Sequence, residues 1–136
     1  MSTTQYAKTL TADLWRGTAC DESVIEKPDE ADLRRAIDDL DQATHTLVIV
    51  AGEGEAHLGV GGGRGEFVVY ATFDNRTFYN LIDRSKAGAP VTVVAGGQAG
   101  DYPTSQVVDR DRAVVAATRF LTEGRLGDDL GWEVQG

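Results

Sequence analysis

Residues 46–82 read TLVIVAGEGEAHLGVGGGRGEFVVYATFDNRTFYNLI, a series of β-branched and aromatic runs broken by short polar or glycine-rich spacers. The runs cover 46–51, 57–60, 66–73 and 78–82. Between them lie Gly52-Glu53-Gly54-Glu55, Gly61-Gly62-Gly63-Arg64-Gly65 and Asp74-Asn75-Arg76-Thr77. Runs of this length and composition favour strands. Spacers this short make hairpins, because a parallel crossover needs a dozen or more residues. The stretch predicts an antiparallel meander. A further strand-like run, Val91-Thr92-Val93-Val94-Ala95, breaks at Gly96-Gly97, and a turn is expected through Gly100-Asp101-Tyr102-Pro103.

Helical periodicity flanks this block. Leu33, Ala36, Ile37 and Leu40 recur at i, i+3, i+4 and i+7, with Pro28 at the start and Asp29, Glu30 and Asp32 in the first turn. Negative charge is favoured there by the helix dipole. Arg34, Arg35, Asp38, Asp39 and Asp41 form the opposite, solvated face. A second helix opens at Asp109, carries Ala113, Ala116, Ala117, Phe120 and Leu121 on one stripe, and stops at Gly124. Leu10, Ala12 and Leu14 alternate as a first strand, 17–27 shows no period and reads as loop, and 105–108 adds a short strand. Trp132, near the end of the chain, reads as a core plug.

The expected fold is α+β, a single domain over 1–136 with a mainly antiparallel twisted sheet of about six strands. Helices near 29–41 and 109–123 pack on one face. Leu33, Ile37, Leu40, Val48, Val50, Val69, Val93, Phe120 and Leu121 are expected in the core.

A chain of 136 residues, 41% hydrophobic and 26% charged, has ordinary globular composition. At that length folding buries about two thirds of the unfolded surface, enough for one core. Cys20 is the single cysteine, so no internal disulfide is possible. The first residues lack an apolar leader and no apolar run approaches a membrane span, which predicts a cytoplasmic protein with no membrane partner. Net charge is −9, from 22 acidic and 13 basic residues. Direct nucleic-acid binding begins with Lys and Arg neutralising phosphates, so this balance argues against it. It suits docking on a basic protein surface.

Reaction chemistry finds little support. Gly59-Val60-Gly61-Gly62-Gly63-Arg64 puts Arg64 where a dinucleotide fingerprint needs its last glycine, and a strand follows instead of a helix. His45, His57 and Cys20 stand at spacings unrelated to paired metal ligands. The deaminase zinc signature, H-x-E with P-C-x-x-C, is missing, as is G-x-S-x-G. No catalytic residue, metal or cofactor is assigned.

The ordered pieces nevertheless form a pattern. They are the helix with Leu33, Ala36, Ile37 and Leu40, then Leu47-Val48-Ile49-Val50, then the glycine-rich hairpin before Phe67-Val68-Val69-Tyr70. Val93-Val94-Ala95-Gly96-Gly97-Gln98 follows with Pro103, then the helix ending Ala117-Thr118-Arg119-Phe120-Leu121-Thr122-Glu123-Gly124, and finally Leu130-Gly131-Trp132-Glu133. Over residues 28–134 this resembles the bacterial polymorphic-toxin immunity proteins of immunity family number one. The resemblance implies a non-enzymatic antidote that binds a cognate toxin inside the producing cell, most often a nucleic-acid deaminase. Such a toxin needs a basic surface to hold its substrate, which an acidic antidote complements.

The family supplies no residues to carry over, so contact candidates rest on charge and loop position. They are Glu53 and Glu55 in the first hairpin turn, Asp74 in a later turn, and Asp101 beside Tyr102. Turns can project from a rigid sheet, and tyrosine is enriched at binding hot spots. A small-molecule-binding module or small enzyme built on the glycine-rich loops remains the alternative. The sequence leaves the oligomeric state open.

Overall fold

Alternation sets the sheet and capping sets the helices. In the computed structural model, which describes residues 6–135, the strands are β1 (Thr9–Arg16), β2 (Ala19–Glu26), β3 (Leu47–Ala51), β4 (His57–Gly63), β5 (Glu66–Thr72), β6 (Phe78–Ile82), β7 (Val91–Ala95), β8 (Gln98–Tyr102) and β9 (Gly131–Val134). Helix α1 (Glu30–Asp39) lies between β2 and β3, and α2 (Arg110–Glu123) between β8 and β9. Residues 1–5, part of the stretch read above as lacking a leader, lie outside the described residues.

Seven strands form one antiparallel sheet in the order β2-β1-β3-β4-β5-β6-β9. The fold is α+β, as expected. Val48, Val50, Leu58, Val60, Val69, Ala71 and Leu81 point to one side and pack with Leu33, Ile37, Ala113, Ala116, Ala117, Phe120 and Leu121 of the helices. The small alanines of α2 let that helix lie close to the strands. The nine residues from Leu33 to Leu121 expected in the core are buried, whereas Trp132, read as a core plug, is only partly buried and packs against the core from outside. Val93 is the odd one, because it sits under the β7–β8 hairpin, against Gly62, instead of under the helices.

Capping accounts for the helix ends. Asp29 and Asp32 form a reciprocal box at the start of α1, each carboxylate accepting the other's backbone N–H, at 2.8 and 3.1 Å. Asp109 accepts the N–H of Arg112 at 2.9 Å, and Gly124 ends α2 as expected. Asp38 of α1 and Arg110 of α2 then join the two helices through paired hydrogen bonds.

Three expectations need correction. Residues 17–27 are not a loop: they carry β2, paired with β1 from Thr9↔Glu26 to Arg16↔Ala19. This strand is exposed on both faces apart from Ile25, so burial imposes no hydrophobic period on it. The stretch 98–102 is not a turn but β8, which pairs only with β7 and forms a separate two-stranded sheet. Residues 104–106 form a 3-10 turn, and the expected strand at 105–108 shrinks to one bridge between Phe67 and Val108. The meander therefore stops at β6, and β9 returns to extend it.

Candidate functional site

With both helices on one face, the other face of the sheet is free for a different use. The same alternation that buries Val69 and Ala71 turns Val68 and Tyr70 of β5 to this side, beside Leu47 of β3 and Phe78 and Asn80 of β6. Gly59 of β4 stands opposite Tyr70 in the register. A side chain at Gly59 would collide with the Tyr70 ring, so glycine lets the aromatic lie across bare backbone. His57 meets Tyr70 edge-on at 5.5 Å, and Phe78 continues the row at 6.2 Å. Burial pushes the Tyr70 phenol above its ordinary pKa.

The β7–β8 hairpin roofs part of this face. Gly97 at its tip lies against the Trp15 indole, where any β-carbon would clash. The Gly97 N–H donates to Thr46 Oγ1 at 2.9 Å, and that hydroxyl in turn donates to Asp13. Asp13, only 8% exposed, also accepts from Thr46 N–H at 2.7 Å, Leu47 N–H at 3.0 Å and Trp15 Nε1 at 2.8 Å. Gln42 supplies a second tether: its Nε2 donates to the Gly63 carbonyl and its Oε1 accepts the Val94 N–H, both at 2.9 Å. Paired polar groups of this kind fix one placement of the hairpin, since leaving either partner unmatched is costly.

Between hairpin and sheet lies a cleft of about 420 Å³. Tyr70 and Phe78 line it from the sheet, and Tyr102, Ala95 and Gly96 from the hairpin. Its polar groups are amides. Asn80, Gln106 and Gln135 border it, and Gln135 Nε2 donates to Asn80 Oδ1 at 3.0 Å.

The sequence candidates separate around this cleft. Ala51, His57, Thr72 and Phe78 form one transverse row of the sheet, so the turns carrying Glu53, Glu55 and Asp74 share one end of it. Glu53 pairs with Lys8 at 3.2 Å, both largely exposed. Asp74 has a local role: its carboxylate accepts the N–H groups of Thr77 and Arg76 at 2.8 and 2.9 Å. Those bonds, led by Thr77, hold its pKa below the ordinary value. Asp101 is bound to Thr92 Oγ1 at 2.7 Å on the hairpin's exposed side, whereas its neighbour Tyr102 turns into the cleft.

Sequence reasoning missed Tyr70, Phe78, Asn80 and Gln135. The signal was present in the period-two pattern of 66–72, where Phe67, Val69 and Ala71 take one face and leave Val68 and Tyr70 to the other.

Among the described residues no three His, Cys, Asp or Glu side chains converge as metal ligands. Cys20 is exposed, and its thiol donates to the Asp21 carbonyl at 3.5 Å. No described helix is long and apolar enough to cross a membrane. The arrangement offers a contact surface: an aromatic, amide-edged cleft on a strongly acidic chain.

The family model described as Immunity protein Imm1 matches residues 21–134. No curated protein and no solved structure matches the chain.

Proposed function

The chain belongs to the Imm1 family of immunity proteins, and from that premise we propose that it neutralises a cognate bacterial toxin by gripping it with the helix-free face of the sheet. The observation that carries this choice of face is the open aromatic cleft between β5, β6 and the β7–β8 hairpin. Half-buried tyrosine and phenylalanine are aromatics of the kind enriched at the cores of protein interfaces, and tyrosine is enriched at hot spots as well. The hairpin is held by Asp13, Thr46 and Gln42, so the cleft is preformed and little ordering entropy is lost on binding.

Tyr70, Phe78 and Tyr102 are the proposed anchors. Glu53, Glu55, Asp74 and Asp101 are the proposed acidic contacts that draw in a basic partner. With a net charge of −9, such attraction raises the encounter rate more than the final affinity. The proposed toxin is a nucleic-acid deaminase of a polymorphic toxin system, met in the cytoplasm of the producing cell. Its substrate is a polyanion, so its active face must be basic, and an acidic plug occludes it. The protein acts by binding and performs no reaction of its own.

Co-expression with the toxin encoded beside this gene tests the reading. Wild-type protein rescues growth and co-purifies with the toxin at equal stoichiometry, and the double variant Tyr102→Ala, Phe78→Ala does neither while remaining folded. Full protection by that folded variant would move the contact elsewhere.

The cleft also supports a second reading. Its volume falls within the range of small-molecule sites, so the protein could be a ligand-binding module. A metabolite that raises the melting temperature of the wild type, but not of Tyr102→Ala, would favour that reading.

A further inference from the structure

The outer edge of β2 has no partner among the described residues, because β2 ends the sheet order. It is eight residues long, in unbroken register with β1, and holds no proline. Edge strands are commonly kept short, bulged, interrupted or charged, and this one is guarded by its carboxylates alone, which repel another acidic strand but not a basic one. Its hydrogen-bond phase can be read from the end of the hairpin. The Lys27 N–H donates to the Lys8 carbonyl at 2.9 Å, so bonded pairs alternate from there through Ile25 and Ser23. The backbone N–H and C=O groups of Glu22, Val24 and Glu26 therefore point away from β1. Their side chains share one face, with Val24 59% exposed between two carboxylates.

We infer that this edge receives an extended basic segment of the toxin, which adds a strand beside β2. Lysine or arginine would sit opposite Glu22 and Glu26, and an apolar side chain opposite Val24. The inference rests on the immunity reading above and names a second contact for the same partner. A second copy of this chain is the poorer occupant. Antiparallel self-pairing centred on Val24 would set Glu22 of each copy against Glu26 of the other, placing four carboxylates on one face. Strand addition draws affinity from main-chain bonds and specificity from alternate side chains. Here the alternate side chains are acid, apolar, acid.

The test uses the whole chain and a capped heptapeptide, Thr-Lys-Thr-Val-Thr-Lys-Thr, with a control in which both lysines are glutamate. In amide NMR the lysine peptide should shift Glu22, Val24 and Glu26 and slow their hydrogen exchange, and the glutamate peptide should not. Val24→Pro deletes the central outward N–H without touching a bond to β1, so it should keep the fold and lose the response. The charge-swapped Glu22→Lys, Glu26→Lys protein should instead prefer the glutamate peptide, which keeps the test decisive should Val24→Pro misfold. No response in the wild type, an unchanged response in folded Val24→Pro, or an unswapped preference overturns the inference. Growth protection separates the two levels. Full protection by folded Val24→Pro sinks the edge contact alone, whereas a wild type that neutralises no toxin sinks the immunity reading itself.

Discussion

Asp13 and Thr46 are joined twice: the Thr46 backbone N–H donates to Asp13 Oδ1 at 2.7 Å, and the Thr46 hydroxyl donates to Asp13 Oδ2. The same hydroxyl accepts the Gly97 N–H at 2.9 Å, so one buried threonine ties β1 and β3 to the tip of the β7–β8 hairpin. Thr46→Val keeps the shape and removes the hydroxyl. It should cost about 1–3 kcal/mol, because the buried Asp13 carboxylate loses a donor, while the exposed Gly97 N–H turns to water. Urea denaturation measures the loss. Faster amide exchange at Gly97 and Val94 should accompany it, and unchanged exchange would show that the hairpin is held by other contacts.

Phe120 tests the other face. It is fully buried, and Tyr6 meets it edge-on at 5.5 Å. Phe120→Ala should destabilise the protein by about 3–5 kcal/mol, a large part of a small domain's total. Chemical denaturation with an unchanged midpoint would contradict the packing of α2.

Acid should weaken the fold. Asp38 is held below its ordinary pKa of 3.8, chiefly by the Arg110 hydrogen bond, and Asp41 chiefly by the His45 N–H. Asp83 is lowered too, chiefly by the Ser85 hydroxyl. A lowered folded-state pKa means that the unfolded chain takes up protons first as pH falls. The stabilisation is complete above the ordinary value and is lost as pH drops through the folded-state values. Stability measured from pH 6 downward should fall below about pH 4, and Asp38→Asn should flatten part of that fall. A slope identical to wild type would remove Asp38 from the account.

Charge reversal probes steering. Because Asp74 holds its own turn through the Arg76 and Thr77 amides, the suitable variant is Glu53→Lys, Glu55→Lys, Asp101→Lys with Asp74→Asn. Association with the cognate toxin at low salt should slow by about tenfold or more, with a shallower salt dependence. Wild-type rates in low salt would place steering on other acids, first among them the face of α1.

Much of this architecture was legible in the chain because burial writes a period. Leu33 and Ile37 mark the inner stripe of α1, Asp109 and Gly124 bracket α2, and the hairpins of β3 to β6 follow from their short spacers. β2 left no such trace, since backbone pairing alone recruits it and both its faces meet solvent. β8 was hidden for a related reason: Gly100 and Asp101 are turn-forming residues that cross-strand pairing with Val93 and Thr92 holds extended. Of the cleft, Tyr102 is the one lining residue that its type and position had singled out. Tyr70, Phe78 and Gln135 were not, because they converge only once β9 returns to β6 and the hairpin folds over the sheet.

The most direct test is a hydrogen-exchange footprint of the protein alone and bound to its cognate toxin. Use of the helix-free face predicts slowed exchange in β5, β6 and the β7–β8 hairpin around Tyr70, Phe78 and Tyr102, with α1 and α2 unchanged. Protection confined to the exposed faces of α1 and α2, with the cleft strands exchanging as in the free protein, would contradict it.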